Sequence, residues 1–166
     1  TSAMGYMALA KANVSNHEKL KKYIDKTDEA VNDLFAVLND LLDITRIESG
    51  KIRLNEKENS FKAVIDEVSD SIMSFTIKKH IKYIITKDIF NDTAVFDKRK
   101  VSQILSGLLE NALENTSPGG CIELSAKQIG INKGKYATYQ FMVKDNGHGI
   151  KKEQLKNVFE PFFKEE

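Results

Sequence analysis

A chain of 166 residues, 41% hydrophobic and 30% charged with two prolines, is long enough for one ordinary domain or a compact domain with a helical appendage, and too apolar for disorder. Its net charge of +1 offers no attraction to nucleic acid or to an anionic membrane, so neither is an expected partner. The single cysteine, Cys121, excludes an internal disulfide and a cysteine metal cluster, and no apolar run approaches the roughly 18 residues of a membrane span, so a cytoplasmic location is expected, even for a parent anchored in the inner membrane.

Thr1 to Ala12, apolar at Met4, Met7, Ala8 and Leu9, reads as the end of a helix, and Asn13-Val14-Ser15-Asn16 supplies turn and cap chemistry that leaves His17 in the turn. From His17 to Ile47 there is no glycine or proline. Apolar or small residues recur at Leu20, Ile24, Thr27, Val31, Leu34, Leu38, Leu41 and Thr45, alternating steps of four and three. A second row, Tyr23, Ala30, Val37 and Ile44, runs beside it, and Phe35 and Leu42 widen the stripe. So broad a face suits a four-helix bundle better than a two-stranded coil. Residues 1–50 are therefore expected to form a helical hairpin that pairs with the hairpin of a second copy; the alternative is that the stripe packs on the chain's own second half. Ser49-Gly50 should end the long helix.

Residues 51–166 read as a layered α/β unit. Lys51 to Glu58 alternates at Ile52 and Leu54 as a strand would. Ser60 caps a helix carrying Phe61, Val64, Ile65, Val68, Ile72 and Met73. Short strands are expected at Ile81 to Thr86 and Thr93 to Phe96, then a helix from Lys98 to Asn115, ended by Thr116-Ser117-Pro118-Gly119-Gly120. Cys121 to Ile129 and Tyr136 to Lys144 alternate around the turn Gly130-Ile131-Asn132-Lys133-Gly134 as an antiparallel hairpin, and Lys151 to Phe159 reads as a short last helix. Helices stacked on one face of a mainly antiparallel sheet would accommodate this order.

Two places stand out chemically. The expected buried row of the 98–115 helix, Val101, Ile104 and Leu108, continues into Asn111 and Asn115. A buried amide without partners costs roughly 1–3 kcal/mol, so each needs a local cap or a polar ligand. Asn115 could simply cap the helix end, whereas Asn111, a turn earlier, offers an oxygen suited to Mg²⁺. The second place is Lys144-Asp145-Asn146-Gly147-His148-Gly149-Ile150, where Asp145 shares strand parity with Tyr139, Phe141 and Val143. It could be a plain turn, a metal site on Asp145 and His148, or one wall of a nucleotide pocket. In the last case the exocyclic amine of adenine meets Asp145, and Gly147 and Gly149 permit positive φ and close approach. Further ligands for a metal at Asp145 and His148 are lacking.

Four segments in this order resemble the sensor histidine kinases of two-component signalling, over nearly the whole chain. Leu41-Leu42-Asp43-Ile44-Thr45-Arg46-Ile47-Glu48-Ser49-Gly50-Lys51 is similar to the end of the dimerisation and phosphotransfer helix pair. Gln103 to Thr116 resembles the N box, Asp145 to Ile150 the first glycine box, and Val158-Phe159-Glu160-Pro161-Phe162-Phe163 the F box. The resemblance implies an α+β chain: a helical hairpin, then a two-layer α/β sandwich with a mainly antiparallel mixed sheet, the Bergerat fold. It implies ATP and Mg²⁺ as cofactors, with Asn111 on the metal and Asp145 on adenine. Gly147, Gly149, Ile150, Glu114 and Asn115 would complete the nucleotide site, and Phe159 and Phe162 would border a mobile lid. The reaction it implies moves the γ-phosphoryl group of ATP to a histidine and then to an aspartate of a response-regulator receiver domain.

The departures from that pattern are specific. Thr1 looks like the threonine of a His-Glu-Ile-Arg-Thr-Pro segment, with Ser2 in place of proline, so the acceptor histidine would precede Thr1; His17 is a poor substitute. The second glycine box would follow Glu166. Autophosphorylation by these residues alone is therefore not expected. Gly107 stands where an asparagine is common, and Glu114 where a lysine often meets phosphate. Those changes favour a rival, a degenerate nucleotide-binding dimeric scaffold that works by docking partners. A gyrase-like or chaperone-like ATPase is disfavoured, because Gly107 occupies the place of its glutamate base.

Overall fold

The structure, a computed structural model, describes residues 2–132 and 136–160. The chain divides into two compact units, Thr1–Arg53 and Leu54–Glu166.

In the first unit α1 (Ser2–Ala12) packs against α2 (His17–Glu48). The side-chain oxygen of Asn16 accepts the Lys19 N–H at 3.1 Å. That bond starts α2 at His17, so His17 belongs to the helix and not, as expected, to the turn. At the other end Gly50 takes φ 62° just beyond the Ser49 cap. With 11 residues against 32, α1 is about a third as long as α2. Of the half-buried members of the apolar rows, Leu20, Tyr23, Thr27, Ala30 and Val31 lie in the half of α2 that follows α1, and Ile44 lies near its other end. Further along, Leu34, Phe35, Val37, Leu38, Leu41 and Leu42 are exposed, Leu34 by 67%.

Among the described residues the second unit runs β1 (Lys57–Ser60), α3 (Phe61–Lys78), β2 (Lys82–Asp88), β3 (Thr93–Phe96), α4 (Lys98–Asn115), β4 (Cys121–Asn132), β5 (Tyr136–Asp145) and a 3-10 turn, Gln154–Lys156. β1 and β3 form an antiparallel pair. The main sheet has the order β2-β4-β5, with β2 parallel and β5 antiparallel to β4, so it is mixed. One of its two ladders is parallel because β3 and α4 intervene between β2 and β4.

One face of that sheet carries the core. Ile122, Leu124 and Ala126 of β4 are fully buried against Val64, Ile65, Val68 and Ile72 of α3 and Leu105, Leu109 and Ala112 of α4. Phe61 stacks on Phe96, ring centres 4.0 Å apart, and also meets Tyr139 and Phe141, joining the smaller sheet to β5. Alternation along β5 holds: Ala137, Tyr139, Phe141 and Val143 are the sheltered positions.

Three expectations on local structure are corrected. Lys51 to Glu58 is not one strand: residues 51–56 have no regular structure, and pairing begins at Lys57. Ile52 and Leu54 are exposed and have no layer to face. Lys151 to Phe159 forms only the 3-10 turn, because Leu155 and Phe159 stay in solvent and a short helix without a packed face is marginal. Gly130, Ile131 and Asn132 pair with Thr138, Ala137 and Tyr136 instead of turning, and a bulge between Gln128 and Gly130 absorbs the extra residue.

Candidate functional site

The site lies where α4 ends beside the end of β5. α4 is started by Asp97, whose Oδ1 accepts the Lys100 N–H at 3.1 Å while Oδ2 accepts the Asn55 N–H at 2.8 Å. The Asn55 amide, then the Lys100 amide, holds the Asp97 carboxyl below the usual carboxylate range. The start of α3 is fastened in the same way by Asp92, which accepts from the Ser60 hydroxyl at 2.6 Å and from the Lys62 N–H at 2.7 Å. Desolvation pushes the Asp92 carboxyl up, but those donors together leave it below its ordinary value.

α4 then presents two rows. Leu105, Leu109 and Ala112 enter the core. Leu108, Asn111, Glu114 and Asn115 line a cavity of about 550 Å³, within the usual range for a ligand site. The expected buried row is thus displaced by one residue: Ile104 and Leu108 are exposed, and Asn111 is not an orphaned amide in the core. A helix turns about 100° per residue, and apolar residues at both 104/108 and 105/109 leave the choice to packing. The Asn115 side-chain N–H group donates to the Asn111 carbonyl at 2.8 Å and to Asn111 Oδ1 at 3.0 Å.

Across the cavity stand Asp145, His148, Gly149 and Ile150, with Val158 and Phe159 along the rim. Asp145 is exposed, and its Oδ1 accepts the Gly147 N–H at 2.9 Å. The turn itself therefore satisfies this oxygen. The two glycines serve different needs. Gly149 has φ 70° and open space around its Cβ position. Gly147 lies outside the positive-φ region; a Cβ there would collide with the carbonyl oxygen of Asn115 and lie 2.8 Å from its carbonyl carbon. It is the end of α4 that needs Gly147 bare, and Gly147 is not among the lining residues. Among the described residues no three His, Cys, Asp or Glu side chains converge as a metal cluster would require. Phe162 lies outside the described residues.

The model of the histidine kinase-, DNA gyrase B- and HSP90-like ATPases matches residues 96–166, which include α4, β4, β5 and all of this cavity. The autoinducer 2 sensor kinase/phosphatase LuxQ of Vibrio vulnificus (strain YJ016) is 30% identical over 160 residues, 96% of this chain and 18% of LuxQ. The chain carries the ATPase domain of the sensor histidine kinases. Full-length ShkA in complex with AMPPNP shares the fold with TM-score 0.69 at 21% identity, covering 92% of this chain and 32% of ShkA. Histidine kinase ThkA in complex with the response regulator protein TrrA does so with TM-score 0.66 at 22% identity, covering 98% of this chain and 46% of ThkA. The chain spans less than a fifth of the LuxQ length.

In this histidine kinase domain the lining also includes Leu108, expected in the buried row of α4, and His148, weighed only as a metal ligand. Leu108 stands one helical turn before Asn111 and could have been found by stepping back along the same face. His148 also lines the cavity, and its Nδ1 lies 2.9 Å from the Gly149 carbonyl oxygen. The sequence marked it only as a possible metal ligand beside Asp145, not as part of a nucleotide pocket.

Proposed function

We propose that the second unit binds Mg-ATP in the α4/β5 cavity and that the protein works in a two-component phosphorelay, passing the γ-phosphoryl group to a histidine and then to a response-regulator aspartate. The observation that carries this reading is convergence. Asn111, Glu114 and Asn115 of α4, Asp145 at the end of β5, and Gly149, Ile150 and Phe159 of the segment after it line a single cavity, although α4 and that segment lie far apart in sequence. AMPPNP in ShkA and TrrA beside ThkA support the class of ligand and of partner.

In this reading Asp145 accepts the exocyclic amine of adenine with the oxygen not used by Gly147. Leu108, Ile150, Val158 and Phe159 supply apolar surface for the base and exclude water. The hard side-chain oxygen of Asn111 fits Mg²⁺ by donor chemistry, and Asn111 Oδ1 would be its contact from α4. When bound, the metal would neutralise phosphate charge, which is most of what phosphoryl transfer asks for. The first unit is read as a dimerisation and phosphotransfer hairpin, with the exposed stripe of α2 covered by a second copy, in the cytoplasm.

One observation favours the scaffold as a second reading: among the described residues the lining holds the carboxylates of Glu114 and Asp145 but no lysine or arginine to meet a triphosphate. Calorimetric titration with ADP and AMPPNP in Mg²⁺ decides between them. Saturable binding that weakens more than about tenfold in Asp145→Ala is expected of the kinase reading. Wild-type protein that does not saturate at millimolar nucleotide would leave the scaffold.

A further inference from the structure

The ladder between β4 and β5 pairs Ile122 with Asp145, so the next rung belongs to Cys121 and Asn146. A hydrogen-bonded antiparallel pair exchanges two N–H···O bonds through its backbones. Here the first is made, the Asn146 N–H donating to the Cys121 carbonyl at 3.2 Å. The second is not a backbone bond. The Cys121 N–H donates instead to the side-chain Oδ1 of Asn146, at 2.7 Å. The amide side chain replaces the carbonyl that a continuing strand would present, so the chain can leave the ladder at Asn146 without orphaning the Cys121 donor.

Neighbouring residues are shaped around that substitution. Gly120 leaves the space: a Cβ there would lie 2.8 Å from Asn146 Oδ1 and 2.9 Å from the Ser117 carbonyl oxygen, and would strike the Thr116 side chain. Gly120 is itself held, its carbonyl accepting the Lys82 N–H at 2.8 Å, and the Gly119 N–H donates to the His80 carbonyl at 3.1 Å. Asn146 is thus pinned to a segment tied in turn to the α3–β2 corner. On either side of it sit Asp145, in the cavity lining, and Gly147, seated on the last carbonyl of α4 and donating to Asp145.

We propose that Asn146 is a positioning residue for nucleotide binding: its Oδ1, by accepting the Cys121 N–H, holds the Asp145–Gly147 turn against the end of α4 and so sets the direction of the Asp145 carboxylate. Asn146 is absent from the cavity lining, so it acts through its neighbours. The inference rests on the nucleotide reading above.

Hydrogen exchange at the Cys121 and Gly147 amides, together with ADP titration in Mg²⁺, tests it on wild type, Asn146→Ala and Asn146→Asp, with circular dichroism to show that each is folded. In Asn146→Ala both amides should exchange at least about tenfold faster, and the Kd for ADP should rise about five- to tenfold, the worth of one hydrogen bond. Asn146→Asp keeps the acceptor oxygen and should recover the protection of both amides and most of the affinity. Unchanged Kd in Asn146→Ala, or failure of Asn146→Asp to restore affinity after restoring protection, overturns the proposal. Unchanged exchange in Asn146→Ala overturns it as well. Wild-type protein that binds no ADP ends the nucleotide reading instead, and the exchange rates still decide whether Asn146 holds the turn.

Discussion

α2 and α3 carry the same kind of signal and meet different fates. Both have apolar residues at steps of three and four, yet α3 buries Val64, Ile65, Val68 and Ile72 almost completely, while Leu34, Leu38 and Leu41 of α2 stand in solvent. α3 has a sheet and α4 to cover it. α2 has the much shorter α1. Periodicity says which face of a helix wants covering; it does not say which surface does so.

That contrast can be broken most severely at α2. With the stripe covered by a second copy, as proposed, wild type should sediment as a dimer and replacing Leu34 and Leu38 together by glutamate should leave it monomeric, since charges at a desolvated seam are strongly unfavourable. A wild type that is monomeric at all concentrations would remove the second copy from the account. Next in size is the core of the second unit: Leu109, fully buried, should cost about 3 kcal/mol when cut to alanine, read from the urea midpoint. The matching Leu38→Ala change should cost far less in a monomer, and equal losses would mean that α2 is covered after all.

The smallest effect concerns helix starts and acid. Asp97 has a folded-state carboxyl held below its unfolded value by the Asn55 and Lys100 amides. Its contribution is therefore present at neutral pH and disappears as the pH falls through the ordinary carboxylate range towards the folded value. Asp97→Asn should lower stability slightly at pH 7 and flatten the decline between about pH 5 and pH 3. An unaltered acid limb would show that the cap does not couple to folding.

Much of this was legible along the chain. Ser60 caps α3 through the Ala63 amide, and β3 and α4 occur with the expected bounds. Parity in β5 puts Tyr139, Phe141 and Val143 inward, because strand alternation follows from backbone geometry alone. Where two choices had equal local merit, reading along the chain failed. Ile104/Leu108 and Leu105/Leu109 are equally apolar, and α4 rotated the second pair into the core. Residues 51–56 alternate like a strand but lack a partner.

The site divides along the same line. Its chemistry was visible in residue types: amides at the end of α4, a carboxylate at the end of β5, and glycines after it. Why Gly147 must be glycine was not, because the reason is a carbonyl 32 positions earlier in the chain, at Asn115. Nor was the part played by Asn146, whose side chain completes a rung with Cys121, 25 positions away. Capping, turning and alternation are short-range physics and travel with the local sequence; which faces touch, and which atoms a turn must fit around, arise only when distant segments are brought together.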